Sequence, residues 1–317
     1  MTSKQGLLLV NLGTPSQATP SAIKRYLGEF LTDRHVVDVN PIIWLPILYG
    51  IVIPKRLKYI TQYYEAIWLN HQSPLLFYSQ QILQKLSKAY PMLNCKLAMT
   101  YGEPDLASTL KQMQQCEQID VISLFPQYST TTTLAVSDKI QSIIKDWQSP
   151  PTLNFIRDYA DHPSYISALV HHIDNQICID QPDTLLLSYH GIPMRYIAHR
   201  RDDYVDRCLL TTELLKSRLA KYYPNLNIIH CYQSRFGNGK WTEPNICDVL
   251  IELAKQGQSV TVVCPGFAVD CIETLHEINI ENRQLFMAHG GKKFNYILAL
   301  NDSDQQIELL KSLINQD

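Results

Sequence analysis

Two stretches far apart in this chain share one pattern. Gly6-Leu-Leu-Leu-Val-Asn-Leu-Gly13-Thr-Pro15 and Leu185-Leu-Leu-Ser-Tyr-His190-Gly191-Ile-Pro193 both run from an apolar core into an x-Gly-x-Pro break. A short apolar run closed by Gly and Pro reads as a strand buried on both faces that opens into a loop at its carboxyl end. A second pair repeats the pattern: Asp120-Val-Ile-Ser-Leu-Phe-Pro126-Gln-Tyr-Ser129 and Val260-Thr-Val-Val-Cys-Pro265-Gly-Phe267. Helical spacing lies between these runs, as at 79–89 and 211–222. Strands alternating with helices predict the α/β class, with parallel sheets and right-handed crossovers. The repetition predicts two similar doubly wound, Rossmann-like domains, residues 1–155 and 156–317. Ligands in such folds sit beyond the carboxyl ends of the strands, so the four loops point to an interdomain cleft. Neither Gly13 nor Gly191 belongs to a Gly-x-Gly-x-x-Gly or Walker pattern, which disfavours a nucleotide ligand.

Composition narrows the function classes. Of 317 residues, 45% are hydrophobic and 18% charged, enough apolar material for sizeable cores. Twenty-eight basic residues nearly balance 30 acidic ones, with no polybasic tract, so no nucleic-acid partner is expected. The eight cysteines form no Cys-x-x-Cys pair and read as reduced thiols of a cytoplasmic protein, with no iron–sulfur cluster predicted. The apolar stretch Pro41–Pro54, followed by Lys55 and Arg56, is too short and too proline-broken to span a bilayer. It reads either as a buried core segment or as an exposed lip for a hydrophobic ligand or a membrane surface.

The segment Asp270-Cys-Ile-Glu273-Thr-Leu-His-Glu277-Ile-Asn-Ile-Glu281 concentrates acid with no Lys or Arg between its carboxylates. As an α-helix at ~100° per residue, it would stack Asp270, Glu273, Glu277 and Glu281 in one stripe. Val269, Ile272, Leu275 and Ile278 would form the buried face. Like charges at i,i+4 oppose the helix. The stripe is therefore either a solvated acidic face or a ridge kept because it holds or conducts a cation, for which aligned carboxylates are hard oxygen ligands.

His190, at the end of its strand, is placed to take a proton near neutral pH or to ligate a metal. Gln233, Ser234 and Arg235, with Phe236, Gly237 and Trp241 beyond, add polar donors and an aromatic wall. Gln127, Tyr128 and Ser129, followed by four threonines (130–133), supply hydroxyls that line a pocket or cap a helix.

These segments together resemble the ferrochelatases, which insert ferrous iron into a porphyrin to make haem. The resemblance rests on Val10-Asn-Leu-Gly-Thr-Pro15, Tyr26-Leu-x-x-Phe30-Leu-x-Asp33, Ser73-Pro74 and Pro126-Gln-Tyr-Ser129. It continues through Tyr159-x-Asp161-His-Pro163, His190-Gly-Ile-Pro193, Gln233-Ser-Arg235, Asp270-Cys-Ile-Glu-Thr-Leu275 and Tyr296-Ile-x-Ala-Leu-Asn-Asp302, in order along essentially the whole chain. It implies a chelatase-like fold, Fe2+ and protoporphyrin IX as substrates, and no cofactor beyond the substrate iron. His190 becomes the active-site base and Glu273 the carboxylate facing it, with Glu277 and Glu281 continuing an acidic metal path. Asn11, Ser73, Tyr101, Gln127, Tyr128, Gln233, Ser234, Arg235 and Trp241 fall at porphyrin-binding positions. Residues 41–54 correspond to a lip at the pocket mouth, implying peripheral contact with the inner membrane.

Several positions depart from the family's pattern. Thr100 stands where many relatives have Arg, Leu298 replaces a frequent Pro, and Cys271 takes the place of a His. The stretch Trp241–Asn245 lacks the usual Tyr or Gln, and no cysteine-bearing tail precedes Asp317. Coproporphyrin or cobalt as substrate, or a non-catalytic tetrapyrrole-binding protein, are the competing expectations.

Overall fold

The computed structural model describes residues 4–236 and 239–314, which leaves Gly237 and Asp317 outside the described residues. The chain divides into two compact units. One runs to Phe125 and includes Thr130–Arg157; the other comprises Pro126–Ser129 and the chain from Asp158 onward.

The first unit carries β1 (Gln5–Gly13), α1 (Pro20–Thr32), α2 (Pro41–Ile47), a π-helix (Leu48–Val52), α3 (Ile53–Ile67) and α4 (Pro74–Ala89). It continues with β2 (Asn94–Tyr101), α5 (Leu106–Gln112), β3 (Gln118–Ser123), α6 (Thr133–Ile144) and β4 (Thr152–Ile156). Its four strands form a parallel sheet in the order β2-β1-β3-β4. Leu7 through Val10 of the central strand are fully buried, as the apolar run requires of a strand covered on both faces. Helix starts follow local chemistry: Thr19, Ser73 and Asp105 each accept a main-chain N–H from the first turn of α1, α4 and α5, and Pro20 and Pro74 open the first two.

The second unit carries α7 (Pro163–Asp180), β5 (Thr184–His190), α8 (Met194–Arg200), α9 (Tyr204–Leu219), β6 (Asn227–Gln233) and α10 (Ile246–Lys255). There follow β7 (Ser259–Val263), a second π-helix (Ile272–Asn282), α11 (Arg283–Ala288), β8 (Lys293–Ile297) and α12 (Asp304–Ile314). The sheet order, β6-β5-β7-β8, again all parallel, repeats that of the first unit strand for strand.

Register makes the repeat quantitative. Val10 pairs with Ala98, and Ser188 with Cys231. The residues that follow, Met99 and Tyr232, each donate a main-chain N–H to a proline carbonyl, Pro104 at 2.7 Å and Pro244 at 2.8 Å. Both prolines follow a glutamate through a cis peptide, and both precede a helix cap, Asp105 or Asn245. The Glu-Pro-Asp/Asn repeat is an echo that strand patterning does not reveal. It aligns Leu12 with His190, Gly13 with Gly191, and Thr100 with Gln233. By the same register, Val121 and Val262 are equivalent, so Pro126 and Pro265 fall out of step although their strands correspond.

Two sequence expectations are corrected here. Residues 41–54 are not a buried core segment. Leu48 and Ile53 are buried, but Ile42, Ile43, Leu45, Ile47, Tyr49 and Ile51 are exposed, Ile42 by 83%. The segment is held to α1 by Trp44 Nε1, which donates to the Leu31 carbonyl at 2.6 Å. Second, the threonine run places Thr132 at the start of α6 without a side-chain cap bond.

Candidate active site

The acidic segment departs from the expected α-helix. Residues 272–282 form a π-helix, whose i→i+5 bonds widen the turn. The expected buried stripe is also redrawn: Ile272 and Leu275 are half-buried, and Thr274, His276, Ile278 and Asn282 are the buried residues. A side-chain amide from Gln233 donates to the Glu273 carbonyl, in the first turn of this helix, at 2.7 Å.

Asp270 is not part of the ridge. It precedes the helix, is fully buried, and accepts from Thr274 Oγ1 (2.8 Å), Tyr296 OH (2.7 Å), Asn301 Nδ2 (2.7 Å) and the Ala299 N–H (3.2 Å). A carboxylate so fully occupied anchors the start of the helix and offers nothing to an incoming cation. Cys271, the next residue, is the helix's N-cap: its carbonyl accepts the Thr274 N–H at 3.3 Å while the Thr274 hydroxyl accepts the Cys271 N–H at 3.0 Å. Burial pushes this thiol well above its usual range.

Glu277 is gripped by one residue. Ser234 donates its main-chain N–H to one carboxylate oxygen at 2.6 Å and its hydroxyl to the other at 2.5 Å. To aim both donors, Ser234 adopts φ +63°, a left-handed conformation few non-glycine residues take. Burial raises the Glu277 carboxyl above the ordinary glutamate value, while Ser234 and the nearby His190 pull it down. Glu281 is exposed and lies 3.7 Å from the Nδ1 of the buried His276. Burial lowers the pKa of His276, and Glu281 opposes that shift. Among the described residues, no group of three or more His, Cys, Asp or Glu side chains is arranged to hold a metal ion.

His190 ends β5, half-buried, its ring 6.5 Å from that of Phe267. Its Nδ1 lies 2.7 Å from the Gly191 carbonyl. A carbonyl only accepts, so Nδ1 carries the hydrogen and Nε2 is left as the basic nitrogen. Gly191 is required here: a Cβ would stand 2.7 Å from the Gln233 carbonyl. The 190–194 turn is laced to Gln233 and to residues 240–242. Gly191 N–H donates to Gln233 O (2.8 Å), Thr242 N–H to Ile192 O (3.0 Å), and Met194 N–H to Lys240 O (2.9 Å). Trp241 bridges Pro193 in this lacing and is half-buried; Arg235 and Phe236 are exposed.

Gln127 is buried in the second unit, donating to Thr211 Oγ1 at 3.1 Å, and Tyr128 beside it is half-buried. The remaining predicted residues belong to the first unit and are occupied there. Asn11 is buried and donates to Ser79 Oγ at 3.1 Å. Ser73 caps α4 through the Leu76 N–H at 3.2 Å. Tyr101 is 1% exposed, gives its hydroxyl to Asp33 at 2.9 Å, and lies beneath the Lys139 ammonium. Burial and Asp33 push that phenol well above its usual range. Thr100, at the position of the absent Arg, donates to the Asn11 carbonyl at 3.1 Å. The second unit thus brings together His190, Gln233, Ser234, Glu273 and Glu277. Sequence reasoning missed Ser188, Thr242 and Asn301, polar residues whose roles depend on partners distant in the chain.

The ferrochelatase family model matches residues 4–317. The chain belongs to the ferrochelatase family. Among curated members, it is 44% identical to the ferrochelatase of Yersinia enterocolitica, over 98% of this chain and 97% of that protein. It is 43% identical to that of Yersinia pestis (strain Pestoides F), over 100% and 99%. Solved structures share the fold at low identity. SirB from Bacillus subtilis with Fe3+ aligns at TM-score 0.59 and 12% identity, over 99% of this chain and 95% of that one. CbiX, described as the terminal enzyme of sirohaem biosynthesis in denitrifying bacteria, aligns at 0.52 and 10%, over 98% and 97%. At such identities, these last two establish the chelatase-type fold alone.

Proposed function

We propose that this member of the ferrochelatase family inserts Fe2+ into protoporphyrin IX, with His190 as the base. Two pyrrole protons must leave as the dication enters, so the product is neutral at its centre. The observation that carries the reading is the bare Nε2 of His190, fixed by the bond from Nδ1 to the Gly191 carbonyl, in the unit that presents Glu273 and Glu277. An imidazole so oriented accepts protons one at a time. The half-buried Glu273 is the group we assign to receive the cation or relay the protons. Glu277, held by Ser234, and Glu281 at the exposed end continue the acidic series outward.

Anaerobic spectrophotometry with Fe2+ tests this on wild type and Glu273→Gln, using protoporphyrin IX and coproporphyrin III. Loss of free-base bands with protoporphyrin, abolished in the variant, is the expected result. A preference for coproporphyrin reassigns the substrate, and tight porphyrin binding without metallation sinks the enzymatic reading.

No described helix is long and apolar enough to cross a membrane. The exposed Ile42, Ile43, Leu45, Ile47 and Ile51, with exposed Lys55 and Lys58 beyond them, support peripheral contact of a cytoplasmic protein with an anionic bilayer. Co-flotation with anionic vesicles, reduced in an Ile42→Ser, Ile43→Ser variant, is expected; equal flotation of the two proteins removes the lip from that role.

A further inference from the structure

We propose that Gln233 is a positioning residue that fixes the spacing of His190 and Glu273, rather than a residue that lines the macrocycle pocket. The inference rests on the chelatase reading above and concerns the same site.

Gln233 is 1% exposed, so it has almost no surface to give to a substrate. Its side-chain oxygen accepts from Ser188 Oγ at 2.8 Å and from Cys264 Sγ at 3.4 Å. Its side-chain nitrogen donates to the Glu273 carbonyl at 2.7 Å. Its main-chain carbonyl accepts the Gly191 N–H at 2.8 Å, directly after His190. One residue therefore holds the peptide that follows the base and the peptide of the carboxylate residue, and it braces both against the strand that carries Ser188. Ser234, the next residue, repeats the grip on the helix through Glu277.

The equivalent position in the first unit shows what the longer side chain adds. Thr100 reaches only the neighbouring strand, donating to the Asn11 carbonyl at 3.1 Å. A hydroxyl on Cβ cannot extend to a helix packed over the sheet, whereas a glutamine carries both an acceptor and a donor that distance. Rigid placement of reacting groups is worth large rate factors, because small displacements are costly when the groups must meet one substrate.

The test uses the full-length protein, with wild type, Gln233→Glu and Gln233→Leu compared. Gln233→Glu keeps the acceptor facing Ser188 and sets an oxygen against the Glu273 carbonyl; Gln233→Leu keeps the volume and removes every polar contact. Anaerobic turnover with Fe2+ and protoporphyrin IX gives kcat, and fluorescence quenching gives the porphyrin Kd. We expect kcat to fall on the order of 10²-fold in both variants, with Kd unchanged. Weakened Kd with kcat retained would mark a pocket-lining residue and overturn the proposal. So would wild-type kcat in both variants, or loss of the folded state in both, which would make Gln233 scaffold only. A wild type that binds porphyrin but never metallates it refutes the chelatase reading itself, a result distinct from any of these.

Discussion

The two units share a sheet order, a strand register and a Glu-Pro-Asp/Asn turn, yet they differ at the ends of the matching strands: in the second, β5 ends in His190, and Gln233 and Ser234 beside it hold the acidic π-helix. The difference lies in a few changes on a common frame. Where the first unit has Leu12, the second has His190; where it has Thr100, the second has Gln233. Where the crossover after β3 is the ordinary helix α6, the crossover after β7 is a π-helix carrying Glu273, Glu277 and Glu281. The connection from β6 to its cis-proline is also longer, and it begins with Ser234, whose N–H and hydroxyl hold Glu277. A doubly wound sheet supplies a ridge of strand ends; side chains at a few register positions decide whether that ridge does chemistry.

The largest effect that would break this comparison is kinetic. His190→Ala should lower metallation by ~10²–10⁴-fold while leaving porphyrin binding intact, whereas Leu12→Ala, at the matching position, should cost stability and not kcat. Near-normal turnover in His190→Ala would leave the two units functionally alike.

Next is the anchor of the π-helix. Asp270→Ala strands buried donors on Thr274, Tyr296 and Asn301, at about 1–3 kcal/mol for each group left unpaired. Asp138 of the first unit, half-exposed beside His35, should cost at most ~1 kcal/mol when replaced by Ala. Urea denaturation of both variants measures the contrast, and equal losses would deny Asp270 its anchoring role.

Glycine substitutions sharpen the register argument. Gly13 has φ +114°, and a Cβ there would sit 1.7 Å from the Tyr101 carbonyl; at Gly191 the closest approach is 2.7 Å. Gly13→Ala should therefore destabilise more than Gly191→Ala, for which overpacking of ~1–3 kcal/mol is expected. Gly50→Ala, with nothing within 4 Å, should be neutral or stabilising by up to ~1 kcal/mol. Thermal melts that rank these otherwise would contradict the backbone approach described here.

The smallest effect concerns acid. His230 stacks on Tyr189 at 4.9 Å, and burial lowers its pKa to about 4, against 6.5 when unburied. The folded protein holds it neutral, so its contribution is fully present above pH 6.5 and is lost as pH falls from there toward 4. The slope is ~1.4 kcal/mol per pH unit in that window. His230→Phe should flatten the acid limb of a urea-midpoint titration; an unchanged limb would assign acid sensitivity to other groups.

Much of this was legible in the sequence. The apolar runs ending in Gly and Pro were strands, and the α/β alternation was a parallel sheet, because a strand buried on both faces has no polar positions to disguise it. His190 does end its strand, as the apolar run before it indicates. The site was less legible where a residue's neighbours are distant in the chain. Ser73 before Pro74 and an apolar run carries a helix-cap signal, and that is what the structure makes of it. The helical period gave Asp270 the same face as Glu273, but an α-helical wheel assumes a helix that begins earlier and turns more tightly than this one does.

By itself, then, the order of amino acids determined the two parallel sheets, the glycine turns and the residue types available at the strand ends. These follow from local hydrophobic period and backbone sterics, which act within a few residues. Tertiary structure alone decided that Asp270 is an anchor, that Gln233 is buried between His190 and Glu273, and that residues 272–282 widen into a π-helix. Each of those outcomes depends on hydrogen-bond partners some thirty to forty-five residues away, such as Asn301 for Asp270 and Ser188 for Gln233, and no local rule fixes which distant group a buried polar atom will find.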